Sequence, residues 1–492
     1  MPISDFIPDG LVPLHAILSS VGLLIYAVGS HALQQRRHPA AAIGWVLLIL
    51  LMPEVGLPLY LMFGTRKLPK AVRRADARAE PGPAPAGVPD WVHRLTASMA
   101  LPAPASYQAL HVHADGADAR LALWDTIASA RVRLDVCTFI LGSDDFGDEV
   151  LDRLAERARA GVAVRLIVDG VGTWMGGRRD FTRAAEAGVQ VARFAPPFRA
   201  PLLQPWRGRT NLRTHRKVVI ADGLRLWGGG RNLSGEYFEG RGGEAPWADL
   251  SFDLRGALVQ SAQAQFDADW VFANARRGGA FEAAGAAVAD SERSVVAASI
   301  SMSGPSDAVV AAPDLPIGQM IPSGPDFADD TVHALLITSC YRARDRILIV
   351  TPYLVPDENL LTALALAARR GVVVDVVMPA RSNHRLADIA RRRPMRDLAA
   401  AGARLWLTPT MTHAKAVVVD RHMALAGSVN LDSRSLFLNF ELMTAFYVPS
   451  EIARFEAWID ALRHTAQRAR PQPAGLARHV GEGLVLWLAF QL

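Results

Sequence analysis

THRKVVIADG (residues 214–223) and THAKAVVVDR (residues 412–421) carry one pattern twice: a histidine, a lysine two places on, and an aspartate five places further. The first copy is His215, Lys217 and Asp222; the second, 198 residues later, is His413, Lys415 and Asp420. Each leads into a small-residue turn that ends in asparagine, Gly229-Gly230-Arg231-Asn232 and then Gly427-Ser428-Val429-Asn430. The chain has four lysines against 49 arginines, and two of the four stand inside these copies. A compact ammonium is wanted here, in a protein that otherwise takes its positive charge from Arg. With 13 histidines and 48 acids in 492 residues, chance gives about 0.01 single copies of this spacing, and far fewer matched pairs. The runs 218–220 and 416–419 are apolar and β-branched, which predicts a buried strand after each histidine. On a strand, residues two apart share a face, so each His and its Lys point the same way.

Working outward, the two copies sit in two similar halves. In the first, residues 132–140 read as a strand, 148–160 as an amphipathic helix closed by Gly161, and 162–168 as the next strand. In the second, the same order runs through 346–350, 357–370, Gly371 and 372–378. The match between ARAGVAVRLIVDG and AARRGVVVDVVMP marks an internal repeat. Strand–helix–strand alternation predicts an α/β fold: two pseudo-symmetric halves with mixed sheets flanked by helices. From the glycine after the helix to the motif histidine is 54 residues in the first half and 42 in the second, so the first carries an insert before its histidine.

The organisation expected is a two-helix membrane anchor over 1–64 and a basic, then Pro/Ala-rich linker over 65–105. The first half follows at 106–282, an Ala/Ser-rich linker at 283–318, the second half at 319–475 and an apolar tail at 476–492. Residues 11–33 hold no Asp, Glu, Lys or Arg, and residues 40–64 hold only Glu54. About 20 apolar residues suffice to cross a hydrocarbon core. The first ten residues carry two Asp and no Lys or Arg, which argues against a cleaved signal. Two transmembrane helices forming a hairpin are therefore expected, the second kinked or re-entrant at Pro53-Glu54. Arg66, Lys67, Lys70, Arg73, Arg74 and Arg78 follow the anchor, so the positive-inside bias predicts a multi-pass inner-membrane protein with its catalytic part in the cytoplasm. Cys137 and Cys340 lie one per half in strand-like contexts, and no disulfide framework is visible, in keeping with a cytoplasmic catalytic part. The net charge of +5 suits an anionic membrane surface or another polyanion.

Duplicated His, Lys and Asn are what one phosphodiester-handling site requires. A neutral imidazole attacks phosphorus, a protonated imidazole serves the departing alkoxide, and ammonium and amide groups hold the non-bridging oxygens. His215 and His413 are the candidates for the first two roles, and Lys217, Lys415, Asn232 and Asn430 for the third. A nucleophilic imidazole also needs its other nitrogen held by an acceptor. Asp249, 34 residues after His215, and Glu441, 28 after His413, are candidates, each able to serve the histidine of the opposite half. Asp222 and Asp420 are grouped with the catalytic motif, although a structural role on the following turn fits them equally. No metal ligand set with recognised spacing appears, and no cofactor is expected.

With the double motif and its G-[GS]-x-N tails, the chain resembles the phospholipase D superfamily. HPAAAIGWVLLILLMPEVGLPLYLMFG, NLRTHRKVVIADG, IPSGPD, TPYLVPDENLLTALALAARRGV and AGSVNLDSRSLFLNFE are similar, more narrowly, to bacterial cardiolipin synthases. The resemblance implies two phospholipase D-like halves. It also implies a transfer in which one phosphatidylglycerol becomes a phosphatidyl-histidine on His215, with glycerol protonated by His413, before a second phosphatidylglycerol completes cardiolipin; the pseudo-symmetry leaves these two roles exchangeable. Gly230 stands where the wider superfamily often has Ser, and Thr214 where Asn or Asp is more usual. The implied partners are phosphatidylglycerol, other anionic phospholipids and the membrane, with no nucleic acid; the oligomeric state stays open. A hydrolytic phospholipase D giving phosphatidic acid is the competing enzyme, and an inactive membrane-tethered lipid-binding protein the competing non-enzyme.

Overall fold

The computed structural model describes residues 11–32, 39–64, 66–68, 81–177, 179–195, 211–274, 315–473, 475, 481–483 and 485. The Ala/Ser-rich linker up to residue 314, the greater part of the first-half insert, residues 69–80 of the basic linker and most of the C-terminal tail lie outside these residues.

Eighteen strands occur among the described residues. A short β1 (Ala105–Ser106) precedes the first half, which holds β2 (Gln108–Val112), β3 (Arg133–Thr138), β4 (Ala163–Asp169), β5 (Gln190–Phe194), β6 (Val218–Ala221), β7 (Arg225–Gly229) and β8 (Ser251–Arg255). The second half holds β9 (Ile317–Ser323), β10 (Arg346–Val350), β11 (Leu354–Val355), β12 (Val373–Pro379), β13 (Arg404–Thr408) and β14 (Ala416–Val419). It closes with β15 (Met423–Gly427), β16 (Leu431–Asp432), β17 (Glu441–Phe446) and β18 (Gln467–Arg468). The first sheet runs β2-β8-β7-β6-β3-β4-β5 and the second β1-β9-β17-β15-β14-β10-β12-β13-β18. Without its edges, the second order repeats the first strand for strand. In both, the strands joined through helices are parallel and the motif strand pairs antiparallel to the first of them.

Why these strands are apolar throughout follows from the layering. Val218 and Ile220 of β6, and Ala416 and Val418 of β14, face one core shared between the two sheets. The alternate residues, Val219 and Ala221, face the outer core of the first half, while Val417 and Val419 face that of the second. A strand buried on both faces reads as an unbroken apolar run. The shared core also holds Phe440, Phe446 and Phe252, so the halves are welded through aromatic packing and not merely apposed.

At the N-terminus, α1 (Leu11–Ala32) is long and apolar enough to cross a membrane, with Leu14–His31 as its span. The second apolar segment is interrupted at Pro53-Glu54, where the sequence predicts a kink or re-entry. It divides into α2 (Pro39–Leu51) and α3 (Pro53–Phe63), separated by Met52 at φ −141°. At about 1.5 Å per residue, each piece falls short of a roughly 30 Å core. Proline lacks the amide that would continue α2, and Pro53 begins α3 instead. The pieces pack together on α1, where Tyr60 sits against Tyr26 and Trp45, and His15 Nδ1 lies 3.2 Å from Glu54. The helical hairpin expected from the sequence is thus α1 followed by a broken pair.

Candidate active site

Backbone pairing brings the motifs together before any side chain acts. Thr214, just before the first histidine, bridges Phe440, just before Glu441; Thr412, just before the second, bridges Ala248, just before Asp249. His215 N donates to Phe440 O at 2.8 Å and His413 N to Ala248 O at 2.8 Å. Each motif is therefore fixed to the carboxylate-bearing segment of the opposite half. The pseudo-two-fold relation is written in these two bridges.

The side chains follow the same crossing. His215 Nδ1 donates to the Glu441 carboxylate at 3.0 Å and also lies 3.0 Å from Ser428 O. His413 Nδ1 donates to Asp249 Oδ2 at 2.7 Å. Burial alone would raise both acids, but the facing imidazole and lysine charges hold Glu441 and Asp249 below the ordinary carboxylate range. An ionised acceptor places the proton on Nδ1 and leaves Nε2 with the lone pair. Among the described residues, no hydrogen-bond partner meets His215 Nε2. His413 differs: Lys415 Nζ lies 2.7 Å from its Nδ1 and 3.0 Å from its Nε2.

Ser428 and Gly230 occupy matching places in the two tails, and the carboxylates explain the difference. Ser428 Oγ donates to Glu441 at 2.5 Å. A Cβ on Gly230 would stand 2.2 Å from Asp249 Oδ1. The shorter acid lies against the backbone where the other half has room for a hydroxyl.

Both lysines are buried, Lys217 donating to His215 O at 2.7 Å and Lys415 to His413 O. Burial, opposed by Glu441 and reinforced by the other lysine's charge, brings Lys217 down to about 7. Burial brings Lys415 down to about 8 against the pull of Asp249 and Glu441. Burial and the adjacent Lys415 push His413 down to about 3, and burial lowers His215 as well. Two carboxylates thus share a dry pocket with two ammoniums and two imidazoles. Another anion would favour every cation in it.

The remaining sequence candidates are placed less simply. Asn232 donates to the Tyr237 hydroxyl at 2.7 Å and accepts from Ile140 N at 3.3 Å. Asn430 bonds Asp432, while its Oδ1 is buried without a partner among the described residues. Asp222 and Asp420 are not at the site, which corrects their grouping with the catalytic residues. Asp222 accepts from the amides of Arg131, Val132 and Arg133, and Asp420 from those of Arg344, Asp345 and Arg346. Both sit in the left-handed region, φ +54° and +49°, at the far end of the motif strand. There each fastens the start of the neighbouring strand, β3 or β10, which runs antiparallel to the motif strand.

Other groups were not singled out from the sequence. Phe139 stands edge-on to His215 and Tyr237 edge-on to His413, with ring centres 5.3 and 5.0 Å away. Arg216, between His215 and Lys217, is fully buried and joins both halves: it bonds Glu441 O at 3.0 Å, Asp269, Ser323 O and Asp326. The segment that Arg216 grips also receives the end of the anchor, where Lys67 donates to Gly324 O at 3.2 Å and pairs with Asp330 at 2.9 Å. IPSGPD, residues 321–326, was already a recognisable stretch; its partners were not.

Comparison with known proteins places this site in company. Residues 123–270 and 336–463 match the family model described as cardiolipin synthase, phospholipase D-like domain, and residues 22–64 match that of a phospholipase D-nuclease N-terminal segment. Cardiolipin synthase A of Pseudomonas syringae is 29% identical over 445 residues, 87% of each chain. Cardiolipin synthase A of Escherichia coli is 29% identical over 450 residues, 86% of each. Phosphatidylserine synthase of Haemophilus influenzae has a similar fold: TM-score 0.57 at 13% identity, over 80% of this chain and 98% of that one.

Proposed function

Because the chain belongs to the cardiolipin synthase family of phospholipase D-like domains, we propose that it is a phosphatidyltransferase making cardiolipin and glycerol from two phosphatidylglycerols. The observation that carries this reading is the crossed pairing, His215 on Glu441 and His413 on Asp249. It gives two imidazoles of fixed tautomer in one pocket with two lysines. His215 Nε2, unencumbered, attacks phosphorus, and the P–O bond to glycerol breaks. The anionic phosphodiester raises His413 from its low value, so that it enters the step protonated and gives its Nε2 proton to the glycerol oxygen. A hydroxyl of the second phosphatidylglycerol then returns a proton to His413 and attacks phosphorus, and the P–N bond breaks. Lys217 and Lys415 hold the non-bridging oxygens throughout, with Asn232 and Asn430 beside them.

The anchor supports a lipid substrate. Residues 66–68 dock on the same 323–330 segment that Arg216 grips, so the pocket lies a short path from where α3 ends. α1 holds the enzyme in the membrane, and the basic residues after the anchor favour the cytoplasmic side. The test is the purified enzyme with headgroup- and acyl-labelled phosphatidylglycerol in vesicles. Equal amounts of cardiolipin and free glycerol are expected; phosphatidic acid as the sole lipid product overturns the transferase in favour of the hydrolase.

A further inference from the structure

Away from the pocket, on the edge of the first sheet, β2 and β8 place a His-x-His opposite a Ser-x-Asp. His111 is in register with Asp253, and His113 N donates to Ser251 O at 3.0 Å. Residues two apart on a strand share a face. The two imidazoles therefore come to the same side as the one carboxylate, with donor atoms of all three within 4.8 Å of one another. Asp253 Oδ1 lies 3.0 Å from His113 Nε2 and 3.4 Å from His111 Nδ1. Ligands of a tetrahedral zinc ion, bound at about 2.0–2.1 Å, lie roughly 3.3 Å apart.

A cluster of this kind often ends as a plain hydrogen-bonded group. Here each remaining polar atom has its own holder. His113 Nδ1 meets Ser251 Oγ at 2.9 Å, His111 Nε2 meets Asp118 at 3.2 Å, and Asp253 Oδ2 accepts from Arg225 at 3.1 Å. Such partners fix tautomer and ring orientation in metal sites. The strand is also bent to make the cluster. Ala109, a non-glycine at φ +53°, sits where the β2–β8 register shifts between Gln108 and His111. Bulges of this sort re-aim the side chains that follow. His113 is fully buried and packed on Trp227, whereas the His111 side chain is 52% exposed. One face of the cluster is rigid, and the other is open to entry.

We propose that His111, His113 and Asp253 bind a divalent transition-metal ion of the zinc class, with solvent in the fourth position. Two imidazoles and one carboxylate suit zinc and its neighbours and not calcium or magnesium, which take all-oxygen shells. The ion ties the sheet edge to β8, whose Ser251 also receives Arg231. It takes no part in the phosphoryl chemistry, and the proposal stands whether or not the enzyme makes cardiolipin.

The test uses tag-free, full-length protein in detergent, stripped with chelator and titrated calorimetrically with zinc chloride. One saturable equivalent is expected, along with a rise in melting temperature as the ion binds the folded form. His111→Ala, at a half-exposed position, should keep its fold by circular dichroism yet lose at least tenfold in affinity and the thermal gain. Asp253→Asn should weaken binding likewise. Absence of saturable binding, or undiminished affinity in folded His111→Ala, overturns the site.

Discussion

Glu441 reaches His215 from the opposite half of the molecule, its carboxylate 3.0 Å from Nδ1 and itself steadied by Ser428 at 2.5 Å. The contact spans the pseudo-two-fold axis, so neither half can hold its own histidine in working order. Glu441→Gln keeps the size but removes the charge that fixes the tautomer and favours imidazolium after proton uptake. The expected loss in kcat is about 10²–10⁴-fold with little change in KM. Asp249→Asn should act likewise through His413. Steady-state kinetics of the two variants check this; a KM effect alone would show that the carboxylates serve binding instead.

Asp222 shares a motif with His215 yet works elsewhere. Its carboxylate takes three successive amides at 2.8 Å each, pinning the start of β3 to the end of β6. Asp222→Ala should cost about 1–3 kcal/mol of stability, the range for a lost charge-assisted network. Turnover per folded molecule should be unchanged. Asn tolerates the left-handed backbone and keeps one acceptor oxygen, so Asp222→Asn should be milder. Thermal melts beside active-site titration separate the two effects, and a dead but fully stable Asp222→Ala would return this residue to the chemistry.

That division shows where sequence reading succeeds and stops. The repeat, the doubly buried strands and the His-Lys pairs are local patterns, fixed by period-2 geometry and visible in ten residues. The break at Met52 was foreshadowed by Pro53, because proline's effect on a helix is local too. Arg216 is different. It stands between His215 and Lys217, but the meaning of its guanidinium lies in Asp269 and Asp326, more than fifty residues away. His111 and His113 are equally mute until β8 brings Asp253 beside them. Spacing rules for metal ligands count along the chain, whereas a sheet edge assembles ligands across it.

Gly230 is explained by one distance. A side chain there meets Asp249 Oδ1 at 2.2 Å, so Gly230→Ser should drive the carboxylate off His413 and nearly abolish activity. The matching change, Ser428→Gly, deletes one hydrogen bond to Glu441 and should lower kcat roughly tenfold. The asymmetry is the prediction: similar losses from both substitutions would mean that the carboxylate, and not the glycine, had yielded.

The two lysines set the alkaline limit. In the free enzyme Lys217 lies near 7 and Lys415 near 8, each lowered by burial first, and Lys217 further by its counterpart's charge. Above those values the ammoniums that hold phosphate oxygens lose their protons, so kcat/KM should fall as pH rises through about 7–8. They titrate as a coupled pair, so the limb belongs to both. A bound phosphodiester anion stabilises the charged forms, and the corresponding limb in kcat should lie at higher pH. A kcat/KM profile flat from pH 7 to 9 would mean that neutral lysines suffice.

Nucleophile and acid can be told apart by the leaving group. Among the described residues His215 Nε2 has no partner, whereas Lys415 Nζ stands 2.7 Å from His413 Nδ1 and 3.0 Å from its Nε2, so the two rings are not equally free to attack. A phosphodiester that expels 4-nitrophenolate needs little protonation as its bond breaks. On that substrate His413→Ala should recover a large part of its deficit, while His215→Ala, lacking the attacking nitrogen, should stay inactive. On phosphatidylglycerol both should be dead. Rapid acid quench of His413→Ala with the activated substrate should leave the phosphoryl group on the peptide carrying His215. Recovery in His215→Ala instead, with the label on the His413 peptide, would exchange the two roles across the pseudo-two-fold axis.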